Sequence, residues 1–184
     1  MSSIKEMLIE IKNDFPNGNP NLRLFLGYYF FNSGFRILLN HRLGKYFSKS
    51  NFFLRLIAKY YKYRLITKRN CDISYNAIIG KNMKLPHSIG IVIGDGVVIK
   101  DNVIVFQQVT IGSHGKNEKG MSYPKIESGV KIYAGAKIIG GVKIGENAII
   151  GANSVVNIDV PANCTAMGIP CKIVTIEKSC NPLS

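Results

Sequence analysis

From residue 73 onward an aliphatic side chain returns at every sixth position, and that period restricts the fold more than any other feature. The series runs Ile73, Ile79, Leu85, resumes as Ile93, Ile99, Val105, Ile111, and resumes again as Ile126, Ile132, Ile138, Ile144, Ile150 and Val156. All thirteen are Ile, Leu or Val. Four places after most of them stands a small or apolar residue: Ala77, Val97, Val103, Val109, Val130, Ala136, Val142, Ala148 and Ser154. A six-residue period matches neither the 3.6 of a helix nor the alternation of an ordinary strand. It predicts a parallel β-helix with one short strand and one turn per hexapeptide, the aliphatic residues stacking into a continuous core. Tight turns between flat faces favour glycine and asparagine, which tolerate positive φ.

The series is broken twice. Two extra residues separate Leu85 from Ile93, directly beside His87, and nine separate Ile111 from Ile126, producing an extended loop at 113–125. A solenoid that holds its period elsewhere marks its insertions as places for a site. His87 is one of three histidines, with His41 and His114, and it stands in a run otherwise built from Val, Ile and Gly.

The first third is different in kind. Residues 1–69 read as a basic, aromatic-rich α-helical region, residues 70–176 as the β-helix, and 177–184 as a tail. The stretch "SSIKEMLIEI" reads as a helix start, and two or three further helices follow between Asn21 and Thr67, broken near Ser33-Gly34 and near 48–51. Of the net charge of +13, most lies in residues 1–70, with 13 Lys/Arg against 3 Asp/Glu and no acid between Asp14 and Asp72. That asymmetry points to an anionic partner, and basic helices with aromatic faces suit peripheral contact with the inner face of a membrane. They equally suit packing between subunits. Nucleic-acid binding has no recognisable motif behind it. The N-terminus has no signal-peptide core, and the Leu24–Phe35 stretch is too short to span a bilayer. A cytoplasmic protein with reduced thiols is the expectation, and the four cysteines lack the spacing of a zinc site.

Four segments, "HSIGIVIGDGVVI", "QQVTIGSHGK", "YPKIESGVKIYAGAKIIGGVKIGENAIIGANSVV" and "GIPCKIV", together resemble the hexapeptide-repeat acyltransferases, within them the serine O-acetyltransferase-like branch. The resemblance covers roughly 64–176 and implies a left-handed β-helix, acetyl-CoA as acyl donor, a homotrimer and no metal. It also implies a catalytic dyad: the family has an aspartate fifteen residues before its histidine, as Asp72 precedes His87. The imidazole would take the acceptor proton and return it to the departing thiolate, with Asp72 fixing its tautomer. By the same likeness, backbone N–H groups at Gly112 and Ser113 would hold the oxyanion. Coenzyme A would lie in the groove between adjacent β-helices, along Ala134 and Ala152, with Lys172 meeting phosphate.

The departures bear on the acceptor. Serine acetyltransferases have Arg-His before the Pro-Lys-Ile of the long loop, where this chain has Ser122-Tyr123, and commonly Asp before the histidine, where it has Pro86. The final "CNPLS" lacks the isoleucine by which those enzymes dock on cysteine synthase. A carboxylate would lose its guanidinium partner. The combination looks like the polysaccharide-modifying relatives, and the expectation is O-acetylation of a bacterial surface glycan or lipid-linked sugar precursor, with His114 and Tyr123 against the sugar. The alternatives are serine O-acetylation for cysteine biosynthesis, amino-sugar N-acetylation and, in another class, a non-catalytic β-helix scaffold. A metal-dependent β-helix enzyme is disfavoured, because only His87 and His114 lie in the repeats.

Overall fold

The structure is a computed structural model that describes residues 4–15, 18–114 and 122–174. The tail expected at 177–184 and part of the long loop lie outside them.

Four helices come first: α1 (Ile4–Asn13), α2 (Leu22–Phe31), α3 (Ser33–Ser48) and α4 (Phe52–Arg69). Asparagine starts three of them. The side chains of Asn21, Asn32 and Asn51 accept the N–H groups of Leu24 (2.8 Å), Phe35 (2.9 Å) and Leu54 (3.1 Å), each satisfying a donor the helix itself cannot. The break expected near Ser33-Gly34 therefore falls at Asn32, one residue earlier. Asn70 ends α4 in the left-handed region at φ 50° and hands the chain to the first strand. Among the described residues, no helix is long and apolar enough to cross a membrane.

The strands then wind through three faces. One sheet stacks β1 (Asp72–Ile73), β3 (Val92–Ile93), β6 (Thr110–Gly112), β9 (Lys137–Ile139) and β12 (Val155–Val156). The second stacks β2 (Ile78–Ile79), β4 (Val98–Ile99), β7 (Lys125–Ile126) and β10 (Lys143–Ile144). The third stacks β5 (Ile104–Val105), β8 (Lys131–Ile132), β11 (Ile149–Ile150) and β13 (Thr165–Met167), closed by the antiparallel β14 (Lys172–Val174). All pairings but that last one are parallel. The chain visits the three faces in turn, with isolated parallel bridges Lys84–Ile104 and Ile144–Val160 filling the places after β2 and β12, and so forms a triangular parallel β-helix.

The hexad positions are its core. Each of the thirteen aliphatic residues is buried, as are the nine small or apolar residues four places on. The two-residue strands explain the period: their first residue faces outward and their second inward. At the edges between faces, left-handed residues stack. Asn82 Nδ2 donates to Asn102 Oδ1 at 2.9 Å, and both have positive φ. Gly129 and Gly135 have positive φ and no room for a side chain, since a Cβ would lie 2.1 Å from Asn147 Oδ1 and 2.0 Å from Asn153 Oδ1. Gln108, at φ 58°, is the one left-handed edge residue of the described set that is neither Asn nor Gly.

The helices are bolted to the first coil. Arg42 is fully buried and donates through Nε and Nη2 to Asp14 (both 3.1 Å), and to the carbonyls of Ile79 (2.6 Å) and Gly80 (2.7 Å). That one guanidinium joins α1, α3 and the second face. Gly34 presses on Leu85, where a Cβ would come within 2.6 Å of the carbonyl oxygen. Ser88 Oγ donates to Ser33 Oγ at 2.8 Å. The thiols of Cys71 and Cys171 are free, whereas Cys164 is disulfide-bonded, against the expectation of reduced thiols throughout.

Candidate active site

The two extra residues after Leu85 open the turn between the third and first faces at the top coil. Ile89 N–H donates to the His87 carbonyl (2.9 Å) and Gly90 N–H to that of Asn70 (2.8 Å), so the insertion folds back on itself. Pro86 and His87 project outward while Ser88 is buried. The hexad pattern explains the exposure: His87 lies two residues past an inward position, at an edge, where side chains leave the prism.

Below His87 runs an aromatic column. Its ring centroid is 6.4 Å from that of Phe106, which stacks on Tyr133 at 5.1 Å with the planes 16° apart. Ala134 and Ala152 sit on this same edge one coil apart, because Asn153 N–H donates to the Ala134 carbonyl (2.8 Å) and Gly135 N–H to that of Gln107 (2.9 Å). The structure thus aligns His87 with the two alanines expected along the coenzyme. Lys172 is exposed on β14, at the far end of the third face.

Asp72 opens β1 with its side chain outward, on the face against which the end of α4 packs. Its carboxylate is engaged there by Lys62, whose Nζ also donates to the Ile73 carbonyl at 2.8 Å. Among the described residues no hydrogen bond joins Asp72 to His87. The sequence interval of fifteen places both at the top coil near one edge, but α4 supplies a cation that competes for the carboxylate. Lys62 was invisible to the motif, and no sequence signal ties it to Asp72.

The remaining expected residues occupy another edge, between the first and second faces. Gly112 lies in β6 opposite Ile139, and its carbonyl accepts from Gly140 N–H at 2.9 Å. Ser113 follows, and the His114 ring lies over Gly140, where a Cβ would be 2.6 Å from His114 Cε1. Tyr123 folds the other way, onto Gly94 and Gly96; a Cβ at Gly96 would stand 2.3 Å from Tyr123 Cδ2. The start of the long loop is therefore anchored on the coil below and its end on the coil above. Tyr123, half-buried and packed against the core, serves as that upper anchor rather than as an open platform. One chain keeps His87 and this second set on separate edges.

Sequence reading also missed a cleft of about 420 Å³ beside the His87 turn, between the α2–α3 junction and the first coil. Phe31, Asn32, Ser33, Leu85 and Pro86 are among its walls. Its two signals were present separately, as the helix break and the insertion after Leu85. No group of three or more metal-ligating side chains occurs among the described residues.

Residues 123–157 match the family described as bacterial transferase hexapeptide (six repeats). Serine acetyltransferase from Brucella abortus strain S19 in complex with coenzyme A superposes with a TM-score of 0.76 at 32% identity, over 96% of this chain and 69% of that one. Soybean serine acetyltransferase apoenzyme superposes at 0.72 and 30% identity, over 95% of this chain and 85% of that one. In sequence, the chloroplastic serine acetyltransferase 1 of Arabidopsis thaliana is 38% identical over 174 residues, 95% of this chain and 53% of that protein. The chain spans about half the length of such curated relatives. With the hexapeptide parallel β-helix, the helical N-terminal region and this overlap, the chain belongs to the serine acetyltransferase family of hexapeptide-repeat transferases.

Proposed function

We propose that this protein transfers an acetyl group from acetyl-CoA to an acceptor hydroxyl, with His87 as general base. The observation that carries the reading is an exposed imidazole at an interrupted turn, aligned along one edge with Ala134 and Ala152. The His87 ring removes the hydroxyl proton as the oxygen attacks the thioester carbonyl. The tetrahedral intermediate then expels the thiolate, which takes the proton from the imidazolium, leaving an acetyl ester and free coenzyme A. The mechanism needs hydrogen-bond donors for the oxyanion. Gly112 and Ser113 meet His87 only if a second copy brings its loop-bearing edge alongside, which supports assembly of the chain into a homotrimer.

For the acceptor, the relatives favour L-serine: those matched over most of this chain are named serine acetyltransferases. The glycan expected from the departures is the second reading. Its specific support is that the loop offers Ser122 and an inward-packed Tyr123 where that family has Arg-His, and Pro86 before His87 where it commonly has Asp. Release of coenzyme A thiol from acetyl-CoA, measured with L-serine and with sugar acceptors side by side, separates the two. Turnover with serine rejects the glycan reading, and turnover confined to sugars rejects serine. His87→Ala should lower the rate by roughly 10²–10⁴-fold; an unchanged rate rejects the mechanism for either acceptor.

A further inference from the structure

Helix α2 buries none of its ten residues, although its sequence, LRLFLGYYFF, carries a single charge. Leu22 and Phe30 stand in solvent and Phe31 is 92% exposed. Helix α4 has the same character on one side. It turns Ala58 and Leu65 inward, so the opposite side carries Phe52, Leu56, Tyr60 and Tyr63 at helical spacing, all exposed, with Phe53 beside them. Arg55 and Lys59 flank that stripe on one side, Arg64 and Lys68 on the other, all four exposed.

The charge on these helices is of one sign. No Asp or Glu occurs in α2, α3 or α4. Glu10 of α1 is drawn inward to Lys45 at 2.9 Å, and Asp14, just past the end of α1, to the buried Arg42. Among the described residues, Arg55, Lys59, Arg64 and Lys68 have no carboxylate partner. Arg36 of α3 stands between the ends of α2 and α4. Arg36 donates through Nη1 to the carbonyls of Tyr29 and Phe30 at the end of α2, and its buried Nε has no partner among the described residues. Arg69, at the end of α4, is lowered from the usual arginine range first by burial and then by the neighbouring Arg36 and Arg64.

We infer that the exposed aromatic and basic faces of α2 and α4 form a docking surface for an anionic lipid bilayer. Phenylalanine, leucine and tyrosine side chains gain by leaving water for the headgroup–acyl boundary, and the flanking cations gain from anionic headgroups. A second copy on this face would bring unpaired cations against their like. A soluble polyanion would satisfy the charges and leave the apolar side chains wet. Only the bilayer uses both. The surface also borders the site, because Phe31, Asn32 and Ser33 share the cleft with Leu85 and Pro86 beside His87.

The test is co-sedimentation of the whole protein with vesicles of equal parts phosphatidylglycerol and phosphatidylcholine, and with phosphatidylcholine alone. Binding is expected to the first at low ionic strength, to weaken with salt, and to be absent with the second. The pair Phe52→Ser/Phe53→Ser and the pair Lys59→Glu/Arg64→Glu should each lower the bound fraction about tenfold or more. Far-UV circular dichroism shows that each variant is folded, so the result does not depend on whether acetyl transfer is observed. Protein left in the supernatant with anionic vesicles overturns the inference, as does equal binding to neutral ones. Sensitivity to the charge pair alone would make the face a polyanion site and also overturn it. A change of oligomeric state in the phenylalanine pair, by light scattering, would assign the face to a second copy and overturn it too.

Discussion

His41 gives this fold a built-in acid weakness. The ring sits in the middle of α3, fully buried, and neither nitrogen completes a well-formed hydrogen bond, although backbone groups of Ser74 and Ala77 approach it and weakly favour the protonated form. Burial, and then the charges of Arg42 and Lys45, push its pKa down to about 3. An unfolded histidine titrates near 6.5. The sign follows directly: below pH 6.5 the unfolded chain takes up a proton that the folded chain refuses. The contribution of neutral His41 is therefore complete above about pH 6.5 and is lost as pH falls, by about 1.4 kcal/mol per pH unit, until the folded ring titrates near 3. Between pH 7 and pH 5 the loss is about 2 kcal/mol, a large share of the 5–15 kcal/mol typical of a domain. Asp14 works against it. Its carboxyl is raised above the usual aspartate value of 3.8 by burial more than Arg42 lowers it, so its contribution falls as pH rises above that value. A bare pH profile mixes the two groups. The clean measurement is urea unfolding of the wild type and of His41→Phe, which does not titrate, at one protein concentration from pH 7 to 5. The stability difference between them should shift by about 2 kcal/mol in favour of the variant as pH falls. Parallel profiles would refute the reasoning, because they would show that the buried ring accepts the proton at no cost.

Gly34→Ala adds a methyl 2.6 Å from the Leu85 carbonyl oxygen and 2.9 Å from Leu85 Cβ, and that neighbour is backbone that cannot swing away. The gain in helix propensity, about 1 kcal/mol, is outweighed by an overpacking cost of about 1–3 kcal/mol. The Tm should fall, and turnover should fall further, since Leu85 leads into the His87 turn; an unchanged Tm would contradict the packing. Arg42→Leu strands the Asp14 carboxylate and the Ile79 and Gly80 carbonyls in the interior and should cost about 3–5 kcal/mol in urea unfolding. A loss under about 1 kcal/mol would mean that water reaches those groups.

The radial direction of nearly every β-helix side chain was legible in the sequence, and the partners across elements were not. A six-residue period says which residues turn inward, and the thirteen it marks are all buried. It is silent on what an outward residue meets. Asp72 points out, as the pattern requires, but that it meets Lys62 depends on how α4 lies against β1, which no periodicity encodes. Tyr123 escaped for a related reason. A loop residue outside the repeat has no assigned direction, and its ring found the space that Gly94 and Gly96 leave open. Arg42 reads in sequence as one more cation of a basic helix; only its packing against Asp14 and two carbonyls makes it a clamp.

The period does fix one further thing, the edge to which each site residue belongs. Three hexapeptides make a coil, so Ala134 and Ala152, eighteen apart, share an edge with the turn that carries His87. Gly112, Ser113, His114 and Tyr123 belong to the next edge round. If these residues serve one reaction, each centre takes its imidazole from one copy and its loop from another. That arrangement has a numerical consequence in a cyclic trimer with heterologous contacts. His87→Ala and a chain lacking residues 115–121 should each be inactive alone. Mixed at random in equal amounts, a centre works only where a loop-deleted copy supplies the histidine and its neighbour is a His87→Ala copy supplying the loop. About one quarter of the centres satisfy both conditions, so co-expression should restore about a quarter of the wild-type thiol-release rate per chain. No recovery in trimers shown to be mixed would mean that the two edges never share a centre, and full activity of the loop-deleted chain would mean that the loop takes no part.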